Sequence, residues 1–573
     1  MLSLKRWMYV AFMVVTVSSI FILYSINQER TRNIQIKNTH ISDNAAMAEN
    51  TMKRMSIEEA HVPSVRIYGD DTKMIYQDIY QNVRQVFQNL HFRVTCGTEI
   101  DDAFDIKELV VFCDDSVGKY VDLAQLGDFI DDGGKVLFAA GLPEGNEDAY
   151  LWSILGIREK SIRENDNRLR FEKPLFPVQM EEMVYDGFSA STWLSLRGDA
   201  KVYIRSADSK VPILHTMVYG AGKSCLINGT FLADLRCSGL LTGAVGTLWD
   251  DFIYPVMGTK TVFLDDFPMI TYVNDKLCMQ LYGCSTEAFV RDVIWRDFLG
   301  MSLRTDTAYT SGILTAASLD ERFPQINDSL FAAIGKSALQ YGGELIYETD
   351  CDRQSGVFVN QAFLDAFLET FPAYQINGLA VLSDDFSQEI MQLPGHGSIR
   401  MVRGKLEWEN AGFQADEEQA YTMFPAATYG NQMEDGNLFA VYSVLASYGM
   451  LSHVFDINEM IAKDEETASW EHDKKQLGIF EEKVLKQLSW LDRATLSQTE
   501  LPVRSYLGLS YGWHRSGDTI FLDCSNMVRG QTFMFKTKDR IQSAKGVHYE
   551  EIGNGYYLLR VQQNNAVITM EGV

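Results

Sequence analysis

Residues 109–141 read LVVFCDDSVGKYVDLAQLGDFIDDGGKVLFAAG. The stretch opens on a continuous apolar strand, LVVFCD (109–114), and closes on another, KVLFAAG (135–141). Between them, YVDLAQLGDFIDDGG has a helical pattern stopped by glycines. A strand that is apolar on both faces must be covered on both faces. Parallel strands joined by helices produce that arrangement. The stretch therefore predicts a βαβ unit and an α/β fold with a parallel sheet.

The pattern extends in both directions. VRIYG (65–69) reads as a strand. Ile79, Val83, Val86, Phe87 and Leu90 form an apolar helical stripe behind it. KVYIRS (201–206) and the hairpin PILHTMVYGAGKSCLING (212–229) complete a first α/β domain over residues 64–257. Its alternation resembles the class I glutamine-amidotransferase-like, Rossmann-type fold. That family's nucleophile is a Cys in a Gly-x-Cys-x-Gly elbow, and the strand exit AAGLPEG has no Cys, Ser or His. GAGKS (220–224) is similar to part of a phosphate loop, but Met217 stands where the pattern needs Gly and a strand follows instead of a helix. A glycine-rich hairpin turn is the expected reading, and the domain reads as a scaffold or binding module.

Upstream, Trp7 to Ile26 runs WMYVAFMVVTVSSIFILYSI without a charge. Twenty residues at about 1.5 Å each span roughly 30 Å, the thickness of a bilayer's hydrocarbon core. Lys5 and Arg6 precede the run, and Trp7 and Tyr24 sit at its ends. The exit YSINQERTRN lacks an Ala-x-Ala cleavage pattern. Residues 1–30 are therefore expected to be an uncleaved transmembrane anchor and 31–63 a polar stalk. Basic residues are nearly balanced across the segment, and a body that follows an N-terminal anchor is most often exported. The soluble part is accordingly expected on the extracytoplasmic side of a cell membrane.

The chain of 573 residues carries a formal net charge of −26, which argues against nucleic acid as a partner. Its eight cysteines form no CxxC, so neither a zinc knuckle nor a disulfide framework is indicated. Residues 258–502 form a second α/β body, long enough for a complete or partial barrel, with strands such as GELIYET and NGLAVLS and a last helix at EEKVLKQLSWLDRATL (481–496). Residues 503–573 change to short alternating segments with turn signals such as GNG, which predicts a β-sandwich-like domain.

The segment with the clearest chemistry opens the second body: KTVFLDDFPMI, residues 260–270. Two adjacent carboxylates, Asp265 and Asp266, leave the end of an apolar strand, where parallel barrels place their sites. Paired acids repel, so one can act as a base and the other can hold a divalent metal. A strand-end Asp-Asp is also a common turn or helix cap.

FLDDFP resembles the first motif of the NodB-type polysaccharide deacetylases, Thr-Phe-Asp-Asp-Gly. The order of anchor, amidotransferase-like domain, deacetylase-like barrel and β-domain is similar to that of the Pel exopolysaccharide-modifying group. The resemblance implies Asp265 as catalytic base and Asp266 as metal ligand. The family's His-x-x-x-His pair is absent. In the corresponding stretch, GGELIYETDCDRQ, Glu348 and Asp352 stand at that spacing and would complete a carboxylate set for a divalent cation. SHVFDINEM is similar to a further family motif and offers His453 as general acid. A structural histidine is the equal alternative. Two functions follow. One is a membrane-anchored carbohydrate deacetylase-like hydrolase. The other is a non-catalytic polysaccharide-binding or assembly component of an exopolysaccharide synthesis or export complex.

Overall fold

The computed structural model describes residues 62–69, 74–97, 104–142, 149–269, 273–318, 328–350, 357–359, 361–382, 396–405, 413–416, 421–433, 435–461, 470–528 and 530–571. The expected anchor, and the stalk up to residue 61, lie outside the described residues. Among the described residues no helix is long and apolar enough to cross a membrane.

The first body is built on a nine-stranded sheet. Its strands are β1 (Ser64–Tyr68), β2 (Arg93–Gly97), β3 (Leu109–Phe112), β4 (Lys135–Phe138), β5 (Ile157–Phe171), β6 (Glu182–Leu196), β7 (Lys201–Ser206), β8 (Pro212–Tyr219) and β9 (Gly222–Ile227), in the order β2-β1-β3-β4-β9-β8-β7-β5-β6. The run from β2 to β9 is parallel and the remainder antiparallel. The stretch 109–141 forms β3, a helix at Leu123–Asp131, and β4, with Val111 opposite Leu137. Asp122 caps that helix by accepting the backbone N–H groups of Ala124 and Gln125. GAGKS is a hairpin turn between β8 and β9. Gly220 sits at φ +59, and a Cβ there would meet the Asp131 Cα at 2.5 Å.

The second body is a barrel-like sheet. Its parallel strands are β11 (Thr259–Asp265), β12 (Tyr309–Ser318), β13 (Glu344–Asp350), β15 (Gly378–Val381), β16 (Met401–Lys405), β18 (Tyr421–Ala426) and β20 (Met450–Asp456), and neighbours in that series pair up to β18. The last strand, β20, pairs with the first, β11. Closure at the remaining joint is made by the segment after β18, where the short β19 (Thr428–Tyr429) pairs in parallel with β20. The sheet is thus a nearly closed parallel barrel. Small additions, β14 (Val357–Val359), β17 (Gln414–Asp416) and β21 (Asp492–Arg493), pair with β12, β18 and β11.

The expected helix at 481–496 is displaced. A helix at Trp470–Ile479 runs into a wider turn at Phe480–Leu485, and the chain then straightens to lay β21 against the foot of β11. A further helix, Glu500–Gly508, spans the expected boundary at residue 503.

The third body is a β-sandwich of two four-stranded sheets. β22 (Ser510–Ser516), β23 (Thr519–Ser525), β28 (Asn565–Met570) and β25 (Ile541–Lys545) form one. The other has the order β10-β24-β27-β26, with β10 at Phe252–Val256, β24 at Gln531–Lys536, β27 at Tyr556–Val561 and β26 at Val547–Gly553. Ile253, Tyr511, Leu522, Phe533 and Leu559 are among the residues that fill the space between them. The sandwich therefore takes a strand from residues assigned by sequence to the first domain. The first body and the barrel also touch closely. The N–H of Gly239 donates to the Ser443 hydroxyl at 2.9 Å, and a Cβ on Gly239 would strike the Ser443 backbone.

Candidate functional site at the barrel mouth

Alternation along the barrel strands decides which side chains face inward. Phe263, Ile346, Ala380, Met401, Phe424 and Val454, each from a different strand, pack together in the interior. Two residues further along, the same faces present Asp265, Glu348, Arg403, Ala426 and Asp456. These positions ring the C-terminal mouth, the end at which parallel barrels build their sites.

Arg403 is the centre of this layer. Its guanidinium is 1% exposed and donates to both oxygens of Asp265, with Nη2 to Oδ2 at 2.8 Å. Nη2 also lies 4.0 Å from Oε1 of Glu348, which is fully buried. The guanidinium stands over the Phe263 ring, 5.0 Å from its centroid. Glu348, Ala380 and Arg403 are in register across β13, β15 and β16. The small side chain between them leaves the space open. On β12, Gly312 serves the same end, since a Cβ there would meet Glu348 Oε2 at 2.4 Å.

The strand-end turn is fixed by the same group. Asp266 has φ +53, a left-handed conformation that Asp tolerates better than most residues. Its N–H donates to Glu348 Oε2 at 2.8 Å, and the next N–H, of Phe267, donates to the Gly312 carbonyl at 2.9 Å. Burial pushes the Glu348 carboxyl well above the usual carboxylate range, helped by the charges of Asp265 and Asp266 and opposed by Arg403. Burial opposes the charge of Arg403, but Asp265 outweighs it and the guanidinium is held more firmly protonated than usual.

Asp456 stands beside Asp265 in the β11–β20 register. Burial raises its carboxyl, and its Oδ1 accepts the Glu459 N–H at 3.2 Å.

The structure thus brings Asp265, Asp266 and Glu348 together. It does not bring His453 to them. His453 lies on the opposite face of β20, against Phe455 and Phe480. Nδ1 pairs with the Thr428 hydroxyl at 2.8 Å and Nε2 with the Gly430 carbonyl at 3.1 Å. Burial lowers its pKa to about 3. A neutral ring that donates from Nε2 and accepts at Nδ1 satisfies both partners. Asp352 lies outside the described residues. The spacing that joined it to Glu348 is that of a helical turn, but Glu348 is in a strand.

Among the described residues no three His, Cys, Asp or Glu side chains group as an ion cage. That absence decides nothing about a metal; it is the chemistry of Asp265 and Glu348 that does not fit a divalent cation. One Glu348 oxygen is committed to a backbone N–H, its carboxyl favours the proton, and a fixed guanidinium bonds both oxygens of Asp265.

Sequence reasoning missed Arg403. Its one signal was an arginine inside the short apolar run MVRG.

The fold and site define a class of protein with an open α/β sheet, a nearly closed parallel barrel with an arginine-bridged acidic mouth, and a β-sandwich. The chain belongs to the family described as uncharacterised protein conserved in bacteria (DUF2194), which it matches over residues 41–336. No curated protein matches it. Among solved structures, it is similar to a catalytic mutant of a GH42 beta-galactosidase from G. stearothermophilus, at 15% identity and a TM-score of 0.21, over 29% of this chain and 27% of that one. An exo-beta-1,4-mannosidase from Opitutaceae bacterium strain TAV5 matches at 11% identity and a TM-score of 0.25, over 33% of this chain and 36% of that one. A thuA-like protein from Bacteroides uniformis matches at 10% identity and a TM-score of 0.26, over 35% of this chain and 96% of that one. The match thus spans about a quarter to a third of the two glycosidases, and likeness at this level carries no argument about function.

Proposed function

We propose that this protein is a polysaccharide-binding component of an exopolysaccharide modification or export system, with a deacetylase-like barrel that does not perform metal-dependent deacetylation. The observation that carries the reading is Arg403. A metal-assisted hydrolase needs unpaired anionic or imidazole donors around its ion. Here the strand-end aspartate that the deacetylase resemblance makes the base is bound through both oxygens to a buried cation. The mouth is left with fixed acceptors, Asp265 and Asp266, suited to receiving sugar hydroxyl or amide protons. The apolar segment 7–26 supplies a membrane tether in this reading, with the body on the extracytoplasmic side.

The test uses the full-length protein with N-acetylhexosamine oligomers, scored for binding, bound divalent metal and released acetate. Saturable binding that weakens in Asp266→Ala, with no acetate release at any added metal, is the expected result. Metal-dependent acetate release would refute the reading and restore the hydrolase.

A further inference from the structure

A cluster of lysines lies outside the barrel, where the first body meets the sandwich. Lys135 opens β4, and Lys223, the lysine of GAGKS, stands opposite it on β9 in register. In-register residues of neighbouring strands project from the same face, so both side chains leave one side of the sheet. Lys538 follows β24 of the sandwich and reaches the loop between the helix Ser238–Leu248 and β10. There its Nζ donates to Asp250 Oδ1 at 2.8 Å, and Lys223 Nζ donates to the same oxygen at 3.3 Å. One carboxylate oxygen thus serves two cations from two bodies. Lys538 and Asp250 are exposed, and Lys223 and Lys135 are half-buried.

Two of the ammonium groups rest on aromatic rings. Lys135 Nζ stands 5.7 Å from the Trp249 centroid, and Lys536 Nζ stands 5.5 Å from the Tyr556 centroid. Trp249 stacks on Phe252, and Phe252 is opposite Lys536 across β10 and β24, which joins the two pairs. Lys536 also packs on the first body, since a Cβ on Gly246 would come within 3.5 Å of its Nζ. Among the described residues no carboxylate makes an ion pair with Lys135 or Lys536. Burial lowers the pKa of both, Lys536 to about 8. The Lys223 charge adds to the lowering at Lys135 against Asp250, and the Lys538 charge adds to it at Lys536 against Cys225.

We propose that this cluster binds a phosphate group, whose oxygens take protons from Lys223 and Lys538 beside Asp250 and whose charge is offset by Lys135 and Lys536. An ammonium has three donors, so Lys223 and Lys538 each keep donors beyond the one spent on Asp250. Beside the cluster, Arg515 bridges Asp251 and Asp539 at 2.8 Å each. With those charges counted, the site is still positive on a chain of net charge −26. Like charges gathered this closely repel, and an anion relieves the repulsion. The donors select among anions. Carboxylates are matched by the planar fork of arginine, and the arginine here is already spent on two aspartates, whereas lysine serves phosphate as a point charge. The inference is independent of the barrel and of its proposed ligand.

The experiment is amine-reactivity footprinting of the full-length protein, read by mass spectrometry at Lys223 and Lys538, with the exposed Lys276 and Lys545 as references. The probes are inorganic pyrophosphate, phosphatidic-acid vesicles and a hexuronate hexasaccharide. Protection of Lys223 and Lys538, but not of the references, by at least one phosphate probe, about threefold or more, is the expected result. Protection by pyrophosphate marks a soluble phosphate ligand, and protection by the vesicles alone marks a lipid headgroup. Lys538→Gln changes an exposed side chain and should weaken binding about tenfold. Asp250→Asn removes the competing carboxylate and should tighten binding about threefold, which a purely structural ion pair would not do. Asp266→Ala at the barrel mouth should leave the protection unchanged. The proposal is overturned by no protection at saturating phosphate, by equal protection of the reference lysines, or by protection with hexuronate alone.

Discussion

Replacing Arg403 with methionine removes the charge at the centre of the barrel mouth while keeping most of the volume. Arg403 is 1% exposed and bonds both oxygens of Asp265, itself 9% exposed, so the deletion strands a nearly buried carboxylate. Breaking one side of a buried ion pair typically costs about 3–5 kcal/mol. Asp265 retains a small exposed area and Glu348 already favours its neutral form, which places the expected loss near the lower end, about 3 kcal/mol. Adding Asp265→Asn removes the stranded charge. The double variant should recover about half of the loss, and because Asp265→Asn alone unpairs the buried Arg403, the coupling should exceed about 1.5 kcal/mol. Protonation discharges abandoned carboxylates, so the deficit should shrink from pH 8 to pH 5. The assay is hydrogen exchange by mass spectrometry on peptides covering β11, β13 and β16, at both pH values, beside urea unfolding. A loss below about 0.5 kcal/mol, or a double variant as unstable as the summed singles, would refute the idea that Arg403 neutralises this mouth.

Glu348→Gln tests the burial of a carboxyl. A carboxyl whose folded pKa is raised contributes stability that is full below its unfolded pKa and lost as pH rises through the folded value. The variant should therefore lose less stability than the parent between pH 5 and pH 9, as read by urea midpoints. Gly312→Ala places a Cβ at 2.4 Å from Glu348 Oε2 and should cost about 1–3 kcal/mol, most of it restored by the smaller side chain in Glu348→Ala. A cost that persists in the double variant would locate the strain elsewhere. His453 has a folded pKa lowered to about 3, so its contribution is present above the unfolded value near 6.5 and lost as pH falls. His453→Gln, which keeps a donor for the Gly430 carbonyl, should flatten acid unfolding between about pH 6 and pH 4, and an unchanged profile would refute this assignment.

The parallel sheets were legible because their signal is local. Apolar runs such as LVVF and TVFLD need no partner to be recognised as buried strands. Membership of a sheet is not local, and FIYPV illustrates the difference. It falls at the end of the first domain as bounded by sequence, yet it pairs with β24, about 280 residues later, with Phe252 opposite Lys536. At the mouth, Asp265 and Asp266 were visible because a strand end followed by proline marks a turn. Glu348 was picked for a helical spacing and occurs at the site for a different reason, the inward alternation of β13. Arg403 was hidden among neighbours. Arg400 and Arg403 stand close together, and only the structure shows that Arg400 is exposed while Arg403, in register with Ala380, is buried.

Exposure separates the groups that a ligand can touch from those that hold them. Glu348 and Arg403, at 0% and 1% exposure, are positioning residues, and no substrate reaches them. What remains accessible is a set of acceptors with little freedom. Asp265 is clamped from below, the backbone at Asp266 is fixed through its N–H, and Asp456 is drawn toward the backbone at Glu459. Proton transfer requires a group that can change charge at low cost, and the arginine clamp opposes that at Asp265. Recognition of hydroxyls requires acceptors that stay in place, and the same clamp favours it. Under the proposed function, the network that would make the barrel mouth a poor metal-dependent hydrolase is the one that would make it a rigid surface for binding a sugar polymer.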